Sequence, residues 1–474
     1  MRNRWSALAL AGLGLALTVP VLAAPRSAGA AAGPILVEQD VQRDLKWHGG
    51  EPEIATNPRN PLNLVMVWAA MKVIKDPAGV VYPSGAAQFA QTATGSMTVN
   101  CEIAYSFDRG STWYPTRFPY ADQPSCGDPM VVAGQDGSFF VAMDSMGDWQ
   151  TPNLQGGTEK DHVTVTRSTD GGRSFAEPVD AATIVDRPFF RIDPSTDYLY
   201  EASGGGLNAY PRQAVVSKDK GRTWSAPRAF AGNHMAVNHG ALAYASQGGS
   251  PAAAQLEFAL SKDEGATFTT TPVTGAVGGS ADWVTGDPTH AGTFSVMQQV
   301  ANTLQVFTTR DSGTTWSKAF NLTNDPARGI TKPWIDYGSS GLLTVMWKST
   351  TADGGHFDVY LALSKDRATS FLSLIKVNKA PSVTQPITYL AGDDLSWVTS
   401  DASHAYVGWG DMRSGDLQAW FARYQFATPK AGPVAAPAGG ATGGLPTTGT
   451  SSLAAALALL LLLAGVLLHR SRRT

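Results

Sequence analysis

One octapeptide, present six times, limits what this chain can fold into. Its first copy is Ser106-Phe107-Asp108-Arg109-Gly110-Ser111-Thr112-Trp113. The pattern Ser/Thr-x-Asp-x-Gly-x-Thr/Ser-aromatic returns over residues 168–175, 217–224, 261–268 and 309–316, and over 364–371 with Ala368 in the glycine's place. Each copy reads as a tight turn between two strands. The Asp carboxylate can accept from the turn's own N–H groups. The glycine supplies a left-handed φ, and the closing aromatic can fold back onto the sheet. A supersecondary unit that recurs in this way calls for a repeat architecture, and this overrides the count of about three domains that a length of 474 residues would suggest.

Two further apolar stretches precede each copy. In the first unit Glu51-Pro52-Glu53-Ile54-Ala55 opens a strand, Asn57-Pro58-Arg59-Asn60-Pro61 turns, and strands follow over 63–69 and 101–106, with a fourth over 114–118 after the octapeptide. The second unit repeats this from Asp128-Pro129 and the sixth from Lys332-Pro333, while the fourth is less regular over 235–245. A seventh unit, over 395–425, lacks the octapeptide and a fourth strand, which residues 34–40 could supply. The expected fold is all-β, a β-propeller of seven four-stranded blades over residues 34–427, closed by an N-terminal strand so that no sheet edge is left open. A six-bladed ring with two irregular units merged is the alternative.

The chain ends carry addresses. Residues 1–30 have the order of a secretory signal, with Arg2 and Arg4, an apolar stretch over 7–17 and small residues around Ala23-Ala24 and Ala28-Gly29-Ala30. Residues 428–444, rich in Pro, Ala and Gly, read as a flexible linker. Over 445–474 come Leu445-Pro446-Thr447-Thr448-Gly449, an apolar run over 453–468, and the basic end His469, Arg470, Arg472 and Arg473. This LPXTG order resembles the sorting signal of Gram-positive surface proteins. The resemblance implies that a sortase cuts between Thr448 and Gly449 and joins Thr448 to peptidoglycan, after a transient membrane insertion of the apolar run. The expected location is therefore the cell surface, with covalent attachment to the wall; a plain C-terminal membrane anchor is the alternative.

A net charge of -3 with 16% charged residues gives no ground for nucleic acid as a partner. Cys101 and Cys126 are the only cysteines. In an exported chain such a pair is expected to form one disulfide, with two buried thiols as the alternative. No cofactor is expected; no ligand spacing marks a metal site, and a structural calcium ion on a cluster of loop carboxylates stays open.

The six turns, with Glu-Pro, Asp-Pro, Arg-Pro and Lys-Pro dipeptides opening inner strands, resemble the Asp-box (BNR repeat) propellers of the sialidase superfamily. The resemblance implies that Asp108, Asp170, Asp219, Asp263, Asp311 and Asp366 are structural turn locks on one face. Function is then expected on the other face, in the loops between second and third strands and the links between blades. The implied partner is an extracellular glycan. The implied enzymatic version is a sialidase-type glycoside hydrolase, with arginines for a substrate carboxylate, a Tyr nucleophile polarised by Glu, and an Asp acid/base. On that rim the candidates are Asp128, Asp186, Arg187, Arg413, Glu201 and Tyr389, with Arg212 and Arg328 as further arginines. Glu51, Lys332 and Asp394 complete a ring of strand-opening charges, which can equally cap strand ends and pair with one another. Trp68, Trp347 and Trp409 are expected to pack between blades, with stacking on sugar rings as the alternative. The rival function is a non-catalytic surface propeller for adhesion or protein binding; whether the chain is an enzyme stays open at this point.

Overall fold

The computed structural model describes residues 35–41, 48–73, 97–116, 125–146, 162–182, 188–205, 210–248, 255–278, 280–384, 395–414 and 417–426. Their regular structure is all β-strand. Seven antiparallel sheets follow one another along the chain, each with four strands in the order inner to outer. Blade I comprises His48–Thr56, Leu64–Val73, Met97–Ser106 and Tyr114–Thr116. Blade II comprises Ser125–Ala133, Phe139–Met146, His162–Ser168 and Val179–Ala182. Blade III comprises Phe189–Ile192, Leu199–Gly205, Tyr210–Ser217 and Arg228–Ala229. Blade IV comprises Ala236–Asn238, Ala241–Gly248, Gln255–Ser261 and Thr269–Pro272. Blade V comprises Ser280–Gly286, Phe294–Val300, Thr303–Thr309 and Phe320–Leu322. Blade VI comprises Ile330–Tyr337, Leu343–Thr350, His356–Ser364 and Ile375–Lys376, with Ser382–Val383 also pairing to its third strand.

The seven-bladed reading holds, and so does the closure. Blade VII takes Trp397–Ser400, His404–Asp411 and Gln418–Gln425 from the end of the fold and Ile35–Asp40 from its beginning, in register from Ile35 opposite Gln425 to Asp40 opposite Trp420. The irregular stretch over 235–245 resolves into two strands joined at His239-Gly240, both with positive φ.

Burial explains the sequence texture. Second strands lie between two neighbouring blades, so both faces are covered and the run Leu64-Val65-Met66-Val67-Trp68-Ala69-Ala70 is buried throughout. Trp68, Trp347 and Trp409 are buried core residues of this kind. Fourth strands are short and half exposed, as at Tyr114–Thr116. A disulfide joins Cys101, on the third strand of blade I, to Cys126, on the first strand of blade II.

The repeated turns share one set of hydrogen bonds. In the first copy the Ser106 hydroxyl donates to Asp108 Oδ1 at 2.8 Å, Gly110 N–H donates to Ser106 Oγ at 2.8 Å, and Thr112 N–H donates to Asp108 Oδ1 at 2.8 Å. The sixth copy keeps this set with Ala368 at φ 61, its N–H donating to Ser364 Oγ at 2.8 Å. The Thr223 hydroxyl, against a smaller cost of burial, and then the Thr223 N–H pull Asp219 down to about 2. These carboxylates are therefore fully ionised acceptors, locked into their own turns.

The turns also stitch the ring. In three of the six turns the residue after the Asp, held at positive φ, pairs with the preceding blade's first hairpin. Arg109 of blade I pairs with Asp401 of blade VII at 3.4 Å, and Arg367 of blade VI with Asp287 of blade V at 2.6 Å. Lys220 of blade III pairs with Asp136 of blade II. The closing aromatic can lean the same way: Trp113 meets Phe421 of blade VII edge-on with centroids 5.1 Å apart.

Candidate binding site at the channel mouth

Opposite the repeated turns, the inner strands begin at the mouth of the central channel. Three of them begin with the same irregularity. Pro52, Pro129 and Pro333 cannot donate to the ladder, and the register slips there, between Gly50 and Glu53, Gly127 and Met130, and Thr331 and Trp334. The residue before each proline takes a left-handed backbone: Glu51 at φ 54, Asp128 at φ 44 and Lys332 at φ 50. For a residue that is neither Gly nor Asn this conformation costs on the order of 1 kcal/mol. It persists because the bulge re-aims a charged side chain. Each of the three has an interaction partner in the fold.

An aromatic cluster is drawn from four blades and the link before blade IV. His234 sits 4.5 Å from Phe189, 5.4 Å from Trp334 and 5.5 Å from Trp283, centroid to centroid. Trp334 in turn meets Trp397 at 4.4 Å. Phe189, Trp334 and Trp397 are buried, whereas His234 and Trp283 are half exposed. The Arg212 guanidinium covers Phe189 at 5.4 Å.

Glu201 lies on the second strand of blade III and is fully buried. Burial pushes its carboxyl up to about 8, with the Ser203 hydroxyl and Arg212 pulling the other way. It is therefore mostly an uncharged acid at neutral pH. Asp128 is half-buried on the rim. Arg413 is held elsewhere: its Nη1 pairs with Glu38 at 2.7 Å, its Nη2 with Asp411 at 2.5 Å, and its plane covers Trp420 at 4.1 Å. Against the cost of burial, Asp411 and Glu38 hold its pKa above the usual value. The guanidinium thus fastens the closing strand to blade VII. Arg328 pairs with Asp325 at 3.1 Å. Asp186, Arg187, Tyr389 and Asp394 lie outside the described residues, as do Thr448 and Gly449.

Sequence reasoning missed two features. Lys348 is buried, donating to Gly410 O at 3.3 Å and lying 4.6 Å from the Phe357 ring centre. Its only signal was a lysine closing an apolar run. The second is a polar group within the channel, Glu53, Arg191 and Asp336, each hidden by the alternation of an inner strand. Among the described residues, no three His, Cys, Asp or Glu side chains converge to hold a metal ion.

No family model matches the chain, and no curated protein sequence matches it. Among solved structures, a protein of unknown function from Dyadobacter fermentans aligns at 14% identity with a TM-score of 0.45, over 83% of this chain and 99% of its own. The NanB sialidase from Streptococcus pneumoniae aligns at 14% identity with a TM-score of 0.39, over 81% and 70%. An α-L-arabinofuranosidase of Fusarium graminearum aligns at 14% identity with a TM-score of 0.41, over 69% and 97%. These are likenesses of fold alone.

Proposed function

We propose that this chain is an exported propeller, covalently anchored to the cell wall through Thr448, that binds an extracellular glycan at the bulged mouth of its channel. The observation that carries the reading is the set of three left-handed bulges. They place Glu51, Asp128 and Lys332 at the opening ends of the inner strands of blades I, II and VI, and His234 and Trp283 are half exposed. Charged groups of both signs suit sugar hydroxyls, and aromatic faces suit the C–H face of a pyranose. The test is a glycan array probed with the mature protein. Binding is expected, and Trp283→Ala should weaken it about tenfold or more while the fold is retained. An array with no bound glycan would end this reading in favour of a protein-binding surface propeller.

Glu201 favours a second, enzymatic reading, that of a sialidase-type glycoside hydrolase. A buried acid held near 8 beside an arginine is protonated at neutral pH and can donate a proton or polarise a neighbouring phenol. In that version Tyr389 is the nucleophile, Asp128 or Asp186 the acid/base, and Arg187 and Arg212 hold a carboxylate. Release of a fluorescent aglycone from a sialoside, lost in Glu201→Gln with glycan binding kept, is the expected result. No turnover across a broad panel of aryl glycosides removes the enzymatic version and leaves binding.

A further inference from the structure

We propose that the other end of the channel, on the face of the repeated turns, binds a small monocarboxylate through the guanidinium of Arg191. The channel there encloses a cavity of ≈ 150 Å³ walled by all seven blades. Arg191 projects from the inner strand of blade III. It lies 4.9 Å from the Trp397 ring centre and donates from Nη1 to Phe190 O at 2.8 Å. That is its one hydrogen bond among the described residues, so most of the five-donor fork is left for the cavity.

The charge around it is incomplete. The titratable groups facing Arg191 are Glu53 of blade I and Asp336 of blade VI, while blades V and VII face Asp336 with the hydroxyls of Thr285 and Thr399. Burial pushes Asp336 up to about 7, with Arg191, then Thr399 and Thr285, pulling it down. Burial also holds Glu53 well above the usual carboxylate range, against Arg191. A half-buried cation whose neighbouring acids are driven toward neutrality lacks a full counter-charge. A carboxylate from solvent supplies it, accepting two parallel N–H bonds from the fork and one O–H bond from protonated Asp336. Val131, Val132, Ile192 and Val237 provide apolar wall for a short hydrocarbon tail. One cation and an apolar wall suit a singly charged carboxylate better than a phosphate.

The site requires the Asp336 proton. With a pKa of about 7, the protonated fraction falls about tenfold between pH 6 and pH 8, and affinity should fall with it. The experiment titrates the full-length protein with sodium butyrate, following tryptophan fluorescence and calorimetry at pH 6 and pH 8. Sodium chloride of equal ionic strength and inorganic phosphate are run alongside. Saturable butyrate binding at pH 6, about tenfold weaker at pH 8, is expected. Asp336→Asn should bind equally at both pH values, since its amide still donates. Arg191→Met, checked by circular dichroism, should not bind. The proposal is overturned by no saturable binding at pH 6, by equal wild-type affinity at the two pH values, by phosphate binding more tightly than butyrate, or by binding that survives in folded Arg191→Met. If that variant does not fold, the wild-type and Asp336→Asn pH comparison decides alone.

Discussion

Replacing Gly110 by alanine tests how the ring is closed. Gly110 has φ +73, and a Cβ there would lie 2.6 Å from two ring carbons of Phe421 and 3.0 Å from Trp113 Cζ2. Its carbonyl also accepts from Gln39 of the closing strand. The new methyl would enter the contact between blade I and blade VII. Placing alanine in the left-handed region costs about 1 kcal/mol, and overfilling a packed contact adds about 1–3 kcal/mol. Gly110→Ala should therefore destabilise the fold by about 2–4 kcal/mol, the sum of those two terms. Gly275, at φ +87 with nothing within 4 Å of its Cβ position, isolates the backbone cost, so Gly275→Ala should lose only about 1 kcal/mol. Ala368, at φ 61 in the equivalent turn, shows that the backbone alone tolerates a Cβ. The assay is equilibrium urea unfolding followed by tryptophan fluorescence, comparing midpoints at unchanged slope. Equal losses in the two variants would refute the argument that Phe421 limits the closure. A cycle with Phe421→Ala should show a coupling of about 1 kcal/mol or more.

Four further outcomes are expected. Arg367→Met leaves the fully buried Asp287 carboxylate without its cation and should cost about 3 kcal/mol, whereas Asp287→Asn, measured by the same urea unfolding, should cost less. Asp219 is held near 2 when folded and titrates near 3.9 when unfolded, so its contribution is complete above about pH 4. The stability gap between wild type and Asp219→Asn should therefore stay constant from pH 7 to pH 5 and close as pH falls from 4 to 2. Asp336 has the opposite sign: its folded pKa of about 7 lies above the unfolded value, so the native state loses stability as pH rises from about 4 to 7. Asp336→Asn should be more stable than wild type at pH 8, with the advantage gone by pH 4, as read from thermal melts. Reducing the Cys101–Cys126 disulfide, which spans 25 residues, should cost about 3 kcal/mol, measured as the loss in urea midpoint with dithiothreitol.

The repeated turn was legible because it solves a local problem. A left-handed turn that must satisfy its own N–H groups needs Ser, Asp and Gly at fixed offsets, and those residues stand in the sequence as a pattern. The closing role of residues 35–40 was legible by counting strands. The stitches between Arg109 and Asp401, Lys220 and Asp136, and Arg367 and Asp287 were not. Each joins two different repeats, and which pair meets depends on the rotation from blade to blade. The charged rim was visible as Glu51, Asp128 and Lys332 before prolines. Their left-handed backbones were not, because a residue before proline ordinarily favours an extended conformation. Arg413 looked available from its loop position, yet its partner Glu38 comes from the opposite end of the fold. Arg191 and Asp336 each look like one polar residue on an alternating strand; only the ring brings them together.

The pairing of Ile35–Asp40 with Gln418–Gln425 also has a mechanical meaning. Ile35 lies opposite Gln425, so the two ends of the propeller leave the fold side by side. Tension between the termini would peel that strand pair apart one hydrogen bond at a time, the weakest geometry for bearing load. Tension between the C-terminal end and a ligand gripped in the channel acts differently. It draws Gln418–Gln425 lengthwise between Ile35–Asp40 and His404–Asp411, so the perpendicular hydrogen bonds of both ladders share the load at once. The same strand is thus a zipper to one direction of pull and a clamp to the other.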